Sequence, residues 1–451
     1  MGRPEWQELD EVLCSSPLTT MGTTRWLLAL ALITTVMSQP VAARGQVPPT
    51  DAELTIDDVV VRALADNPEL RGARADVDAA VGRLRQAGLR PNPELDLGGQ
   101  RALSSDNNLT VAVRLPLDLN DRKGGRVAVA EQELELKRRQ LADRERRLRA
   151  DVRMKAGELL VARRNLEIAD ELLDVNRRAL DVVGSRVRHG AAPAIDDNLQ
   201  LVEVNRLDAS RQLLASRVDI ATLQLKLLAG MPADAPLTVR GELTTSAPTL
   251  DRGEALSQAL TGRPDLAAAH ADVAMARAMI RKEQAEGRWD ASVSVGYMRQ
   301  DMGFGLNGLT NSGQMRPIQD VFHYFGGGVT IMLPVRNRNQ GNIAAAEAGV
   351  LAAERRLEFA TLMVQQEVDA AFAQLEAARR SLEIYGRGVR DVARRNLEVV
   401  RGSYELGRGS LLDVIAEQRR YIDVETGYTD ALKQVYDAAV DVERAVGITE
   451  R

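Results

Sequence analysis

The sequence predicts a mainly α-helical protein with a minor membrane-type β component, four strands per chain, written as two copies of one unit. Three observations carry that reading. Apolar residues recur every seven positions over stretches of some sixty residues, which is a coiled-coil period. Four short segments alternate apolar and polar with the period of two expected of a half-wet strand. Landmarks also recur at one spacing: Gly190 and Gly407, Asp196 and Asp413, and Gly230 and Gly447 are each 217 residues apart. Aromatic residues make up only 3% of the chain, so the core is expected to be packed Leu, Val and Ala helices.

Residues 1–43 read as an export signal, with Met21 as an alternative start. Arg25 precedes the apolar run WLLALALITTVM over 26–37, which is short for a membrane helix and suits a signal sequence. Val41-Ala42-Ala43 offers a cleavage site; an uncleaved hydrophobic tail is the alternative. Cys14, the single cysteine, lies upstream of that run. It excludes an intrachain disulfide and a Cys-based zinc cluster, and no lipid anchor on a cysteine of the processed chain is expected.

The first repeat covers 44–230. A helical region over 55–90 contains Asn67-Pro68-Glu69-Leu70. Strands follow at 93–101 and 109–119, then a long helix at 122–189 and a returning helix at 193–230. The long helix carries Leu134, Leu141 and Leu148, then Val152, Leu159, Leu166, Leu173, Leu180 and Val187, with a stutter between the two series. A linker spans 231–250. The second repeat covers 251–447: a helical region over 253–288 with Arg263-Pro264-Asp265-Leu266, strands at 289–298 and 324–335, a long helix at 341–406 and a returning helix at 410–447. Its seven-residue series is Val364, Ala371, Ala378, Tyr385, Val392, Val399 and Leu406. The segment between its strands, 299–323, reads as a long loop. A sixty-residue helix is about 90 Å long, more than a compact domain of this size needs.

No stretch after the signal is apolar enough for a membrane helix, so any crossing by the processed chain has to be β. Four strands cannot close a membrane barrel, because known barrels start at about eight and open edges are excluded from lipid. The strands therefore imply oligomerisation if they cross a membrane; three copies would supply twelve. The alternative is a soluble protein with two small hairpins on coiled-coil arms.

At this point the chain resembles the TolC-type outer membrane efflux family, most of all the exit ducts of heavy-metal cation pumps. The residues that carry the likeness are ALADNPELRGARADVDAAVGRLRQAGLRPNPELDLG, GRPDLAAAHADVAMARAMI, the strand exits Leu115-Pro116 and Leu333-Pro334 with Gly124 and Gly341 after them, and the turns at Gly190 and Gly407. The resemblance spans about 52–448. It implies a homotrimer in which a twelve-stranded β-barrel in the outer membrane continues into a twelve-helix α-barrel in the periplasm. Its partners would be a periplasmic adaptor protein, an inner-membrane pump of the RND type and outer membrane lipid. Strand positions Val111, Val113, Leu115, Val293, Val295 and Ile331 are then expected to face lipid.

The family places acidic gate residues just after the second-copy turn. Asp413 matches the first such position, but Ala416 stands at the second, so one carboxylate is lost. Asp196 and Asp197 of the first copy are expected to join Asp413. The other reading of these aspartates is helix capping, where acids are stabilised anyway. Arg186, Arg188, Gly190, Arg401, Tyr404, Gly407 and Arg408 resemble the tip that meets the adaptor, with solvated helix charges as the plain alternative.

Catalytic chemistry is missing. The only histidines are His189, His270 and His323, without close ligand spacing. No phosphate-loop signature is present, and no metal or cofactor is expected. A net charge of −5 gives no case for nucleic-acid binding. The function expected is passive conduction of heavy-metal cations or drugs. The alternatives are the outer membrane channel of a type I protein secretion system and a trimeric membrane-anchored structural protein.

Overall fold

A computed structural model describes residues 53–101, 103, 106–243 and 251–448. The expected signal over 1–43 lies outside the described residues, as does 244–250 of the linker. In chain order the elements are β1 (Leu54–Thr55), α1 (Ile56–Asp66), α2 (Pro68–Ala87), β2 (Glu94–Arg101), β3 (Asn107–Pro116), α3 (Arg122–Arg188), α4 (Ala194–Leu228) and β4 (Val239–Arg240). The second copy follows with α5 (Arg252–Gly262), α6 (Pro264–Glu286), β5 (Asp290–Leu309), β6 (Met315–Met332), α7 (Gln340–Ile384), α8 (Arg390–Glu405) and α9 (Leu411–Val446). The protein is mainly α with one four-stranded antiparallel sheet of order β2-β3-β5-β6. A two-stranded parallel patch pairs β1 with β4.

The helical regions expected at 55–90 and 253–288 are each two helices. The breaks fall before Pro68 and Pro264, because a residue preceding proline is pushed out of the helical region. Both pre-proline residues are buried, and both do the same job. Asn67 Nδ2 donates to Leu228 O at 2.9 Å. Arg263 Nη1 donates to Ala445 O at 3.1 Å. Leu228 and Ala445 occupy matching positions at the ends of α4 and α9, so each break ties a helix start to an otherwise unpaired carbonyl.

The cores repeat in the same way. Val59 and Ala63 of α1 pack with Ala221 and Leu225 of α4 and with Val152, Ala156 and Leu159 of α3. Ala255 and Ala259 of α5 pack with Ala438 and Val442 of α9 and with Val364, Val368 and Ala371 of α7. Ala150, Tyr436 and Val440 join the two halves. Small residues at these seams let the helices approach closely, which is why so few aromatics suffice.

The two long helices differ. α3 runs unbroken for 67 residues, about 100 Å at 1.5 Å per residue. The helix expected over 341–406 is interrupted by a π turn at Tyr385–Val389, with Gly388 at φ 123°. A π turn inserts one residue and rotates everything after it. The expected seam therefore fails beyond Ala378: Val392, Val399 and Leu406 are exposed, while Ala393 and Leu397 are buried instead. Gly386 and Gly388 were the signal in the sequence, since neither residue has a glycine at its first-copy counterpart.

The second hairpin is longer than its alternation predicts. Residues 299–323 are mostly strand, paired from Arg299↔His323 to Leu309↔Met315 with an irregularity between Gly303 and Asn307. Backbone pairing across a tight turn does not require a buried face, so polar residues continue the ladder. Only 310–314 is turn, closed by Thr310 N donating to Gln314 O at 2.9 Å. β3 stops at Pro116 rather than 119; Asp118, Asn120 and Asp121 take positive φ in an irregular exit. β6 stops at Met332, just before Leu333-Pro334, where proline lacks a ladder donor.

Two paired carboxyls make stability depend on pH. Burial pushes the Asp265 and Glu203 carboxyls up, but hydrogen bonds and charge from Arg263, and from Arg206 and Arg419, outweigh it and hold both below their ordinary values. A depressed carboxyl stabilises the fold above its ordinary pKa, and this is lost as pH falls through the folded value. The unfolding midpoint is expected to fall as pH drops through and below the ordinary carboxylate range. Asp265→Asn and Glu203→Gln should each flatten that dependence; an unchanged pH profile in both variants would refute it.

Candidate functional site

Two regions hold the residues singled out by the sequence: the tip of the helices and the sheet at the opposite end. At the tip, α3 and α8 end in the same backbone motif. Gly190 N donates to Val187 O at 3.0 Å and Ala191 N to Arg186 O at 2.8 Å. Gly407 N donates to Tyr404 O and Arg408 N to Ser403 O, both at 2.9 Å. Gly190 and Gly407 both have φ 71°, a left-handed conformation that glycine adopts without a Cβ clash.

The tip brings residues of the two copies together. Tyr404 Oη donates to Asp196 Oδ2 at 3.3 Å. The Arg186 guanidinium lies 5.4 Å from the centre of the Tyr404 ring, within cation–π range. Burial and the adjacent Asp196 charge push the Tyr404 hydroxyl above its ordinary value, so it stays a donor at neutral pH. Leu411, Val414 and Ile415 pack beneath with Leu199, Val400 and Tyr404. The first-copy turn is thereby tied to the second-copy turn through one hydrogen bond, one cation–π contact and a small apolar cluster.

The other expected gate residues are placed differently. Asp413 is exposed and completes a capping box: Ser410 N donates to Asp413 Oδ2 at 3.4 Å, and Leu412 N to Ser410 Oγ at 3.1 Å. Ala416 is exposed one turn further on. Asp197 lies in the first turn of α4, its Oδ1 3.1 Å from where a Cβ on Gly184 would stand, with Arg188 Nη1 at 3.4 Å. Arg401 is half-buried, and Arg408 is exposed; neither joins the Tyr404–Asp196 contact.

A buried polar layer above the tip escaped the sequence reading. Glu203, 1% exposed, accepts from Arg206 Nη2 at 2.6 Å and from Arg419 Nη2 at 2.8 Å. Gln200 Nε2 donates to Asn176 Oδ1 at 2.9 Å. Together they join α3, α4 and α9. The signal was polar Gln200 and Glu203 on the helix face that continues at Leu207, an apolar seam position.

At the sheet, register places Val111, Val113, Leu115, Val293, Val295 and Ile331 on one face. Val111 pairs with Leu97 and Tyr297, Val113 with Leu95 and Val295, Leu115 with Val293, and Ile331 with Ala291. Directly opposed residues share a face, so a continuous apolar surface crosses all four strands. The other face is polar: Arg114 pairs with Glu94 and Asp96, beside Thr110, Ser292, Ser294 and Thr330. Among the described residues, the outer edges of β2 and β6 have no strand partner. No helix among the described residues is long and apolar enough to cross a membrane.

Residues 59–231 and 255–448 match the family described as outer membrane efflux protein. The chain is 24% identical over 394 residues to the cobalt-zinc-cadmium resistance protein CzcC of Cupriavidus metallidurans, covering 87% of this chain and 90% of that one. It superposes on a crystal structure of a membrane protein from Pseudomonas aeruginosa with a TM-score of 0.73 at 23% identity, covering 87% and 92% of the two chains. A crystal structure of CusC gives a TM-score of 0.70 at 17% identity, covering 88% and 92%.

Proposed function

The chain belongs to the outer membrane efflux protein family, and on that premise we propose that three copies form one passive exit duct for metal cations. It is an outer membrane protein that extends into the periplasm, and a conduit rather than an enzyme. The single observation that carries the trimer is the sheet. It has one continuous apolar face, one polar face and two unpaired edges. Alternation along the order β2-β3-β5-β6 leaves the two edge strands antiparallel, so β6 of one copy can pair with β2 of the next. Three sheets then close a barrel whose apolar faces, including the six expected positions, meet lipid and whose polar faces line the lumen.

The helices carry the tunnel onward. Exposed Val392, Val399 and Leu406 become contacts between neighbouring copies, twelve helices forming the α-barrel. The tip with Arg186, Arg188, Gly190, Arg401, Tyr404, Gly407 and Arg408 meets a periplasmic adaptor, and an RND-type inner-membrane pump supplies the cargo. The CzcC relative is named for cobalt-zinc-cadmium resistance, which supports divalent metal cations as that cargo.

In this reading the Tyr404–Asp196 contact holds the tip closed. The test is mass measurement of the detergent-extracted protein together with single-channel recording. Three chains per particle are expected; a stable monomer with a closed barrel would refute the architecture. Tyr404→Phe removes one hydrogen bond per copy, about 1 kcal/mol each, so the open-to-closed ratio should rise about fivefold for each tip and about a hundredfold for a duct whose three tips open together. Asp413→Ala should leave the trimer intact and lower its cation preference, because three exposed carboxylates around one axis attract cations. The effect is smaller than two acidic rings would give, since Ala416 supplies none. Unchanged selectivity in Asp413→Ala and in Asp196→Ala/Asp197→Ala would leave these aspartates as helix-start residues only.

A further inference from the structure

Where the sheet meets the helices, every junction carries a cation with no ion-pair partner among the described residues. Arg90 precedes β2, Lys123 follows β3, Arg288 precedes β5, and Arg336 and Arg338 follow β6. All five are exposed. The junctions form one layer. Arg122 Nη2 donates to Arg288 O at 2.8 Å, and Asn339 Nδ2 to Glu283 O at 3.0 Å. Gly287 lies so close to the Arg338 carbonyl that a Cβ there would stand 2.4 Å from it.

Most acids of this layer are already occupied. Asp118 pairs with Arg126, Asp290 with Arg122, Glu286 with Lys282 and Glu94 with Arg114. Among the described residues of the layer, Asp121 alone is an exposed carboxylate without an ion pair, and its Oδ1 folds back against Gly124. A surplus of positive charge remains.

The surplus sits directly below the apolar face. Trp289, Leu333 and Val335 are exposed at the same level, and an exposed tryptophan beside arginines suits a membrane–water interface. β3 has 10 residues; at about 3.4 Å each and tilted by about 45°, it spans about 24 Å, the height of a barrel's apolar band. Headgroups of the leaflet on the helical side then fall at the junction layer. Four of the five cations are arginines, whose forked donors match phosphate oxygens.

The geometry points to a basic collar that binds the phosphate headgroups of anionic phospholipid in the inner leaflet. It rests on the reading that the apolar face meets lipid. The collar fixes the depth of the barrel in the membrane and gathers anionic lipid around it.

Trp289 is the only tryptophan after residue 43, so it reports on this layer directly. The exported protein is reconstituted in phosphatidylcholine vesicles carrying a minor fraction of brominated phosphatidylglycerol or brominated phosphatidylcholine. Per mole, the anionic lipid is expected to quench Trp289 about fivefold more strongly. High salt should remove that preference, as should joint replacement of Arg90, Lys123, Arg288, Arg336 and Arg338 by Gln, while quenching by phosphatidylcholine persists. Equal quenching by both lipids in the unaltered protein, or a preference that survives all five replacements, overturns the collar and leaves the lipid-facing sheet standing. Absence of quenching by either lipid overturns both. Should the fivefold variant not insert, the salt dependence of the unaltered protein decides alone.

Discussion

Arg263→Ala is expected to destabilise the fold by about 3–5 kcal/mol, the cost of breaking a buried ion pair by removing one partner. Arg263 is only 2% exposed. It donates from Nε to Asp265 Oδ1 at 3.0 Å, lies 2.7 Å from Glu367 Oε2, and donates to the Ala445 carbonyl. Truncation leaves two carboxylates and a helix-end carbonyl short of their partners. Arg263→Asn should be milder, because Asn67 in the first copy serves the matching carbonyl with an amide. It would still leave Glu367 without its cation and Asp265 with only the more distant Arg146, 3.6 Å away. Denaturant unfolding followed by circular dichroism reads the effect. A loss below about 1 kcal/mol for the alanine variant would show that water replaces the guanidinium at little cost.

Val295→Arg is expected to cost about 2–4 kcal/mol of folding in a bilayer, the range for a cation at the midplane of a barrel's lipid face. Val295 stands on the apolar face between Val113 and Gly327, well inside β5. Ser294→Arg, one residue away, points to the polar face beside Arg114 and Gly328, and should cost much less. A side-chain period of two makes this pair a clean comparison. Folding yield into vesicles, with trimer recovery on unheated gels, gives the measurement. Equal damage from both substitutions would count against lipid on one side and water on the other.

Sequence alone determined the repeat, the mainly α class and the faces of the strands, because each is a local periodicity. A seven-residue series marks a helix seam, and alternation marks a strand with two different sides. The glycines at both tip turns were legible for the same local reason: only a left-handed residue ends the helix there. What escaped it depended on partners far along the chain. The hairpin beyond Arg299 is strand because His323 to Met315 run beside it, and pairing of backbones leaves little trace in side-chain pattern. The seam past Ala378 moved by one residue because a single π turn rotates the whole helix beyond it. Tyr404 and Asp196 are 208 residues apart, and no spacing rule connects a turn of one copy to a turn of the other. Their meeting, like the burial of Glu203 between Arg206 and Arg419, was decided by how the two hairpins pack. Packing is a property of the assembled helices, where a polar group becomes affordable only once its partner is brought within hydrogen-bond reach.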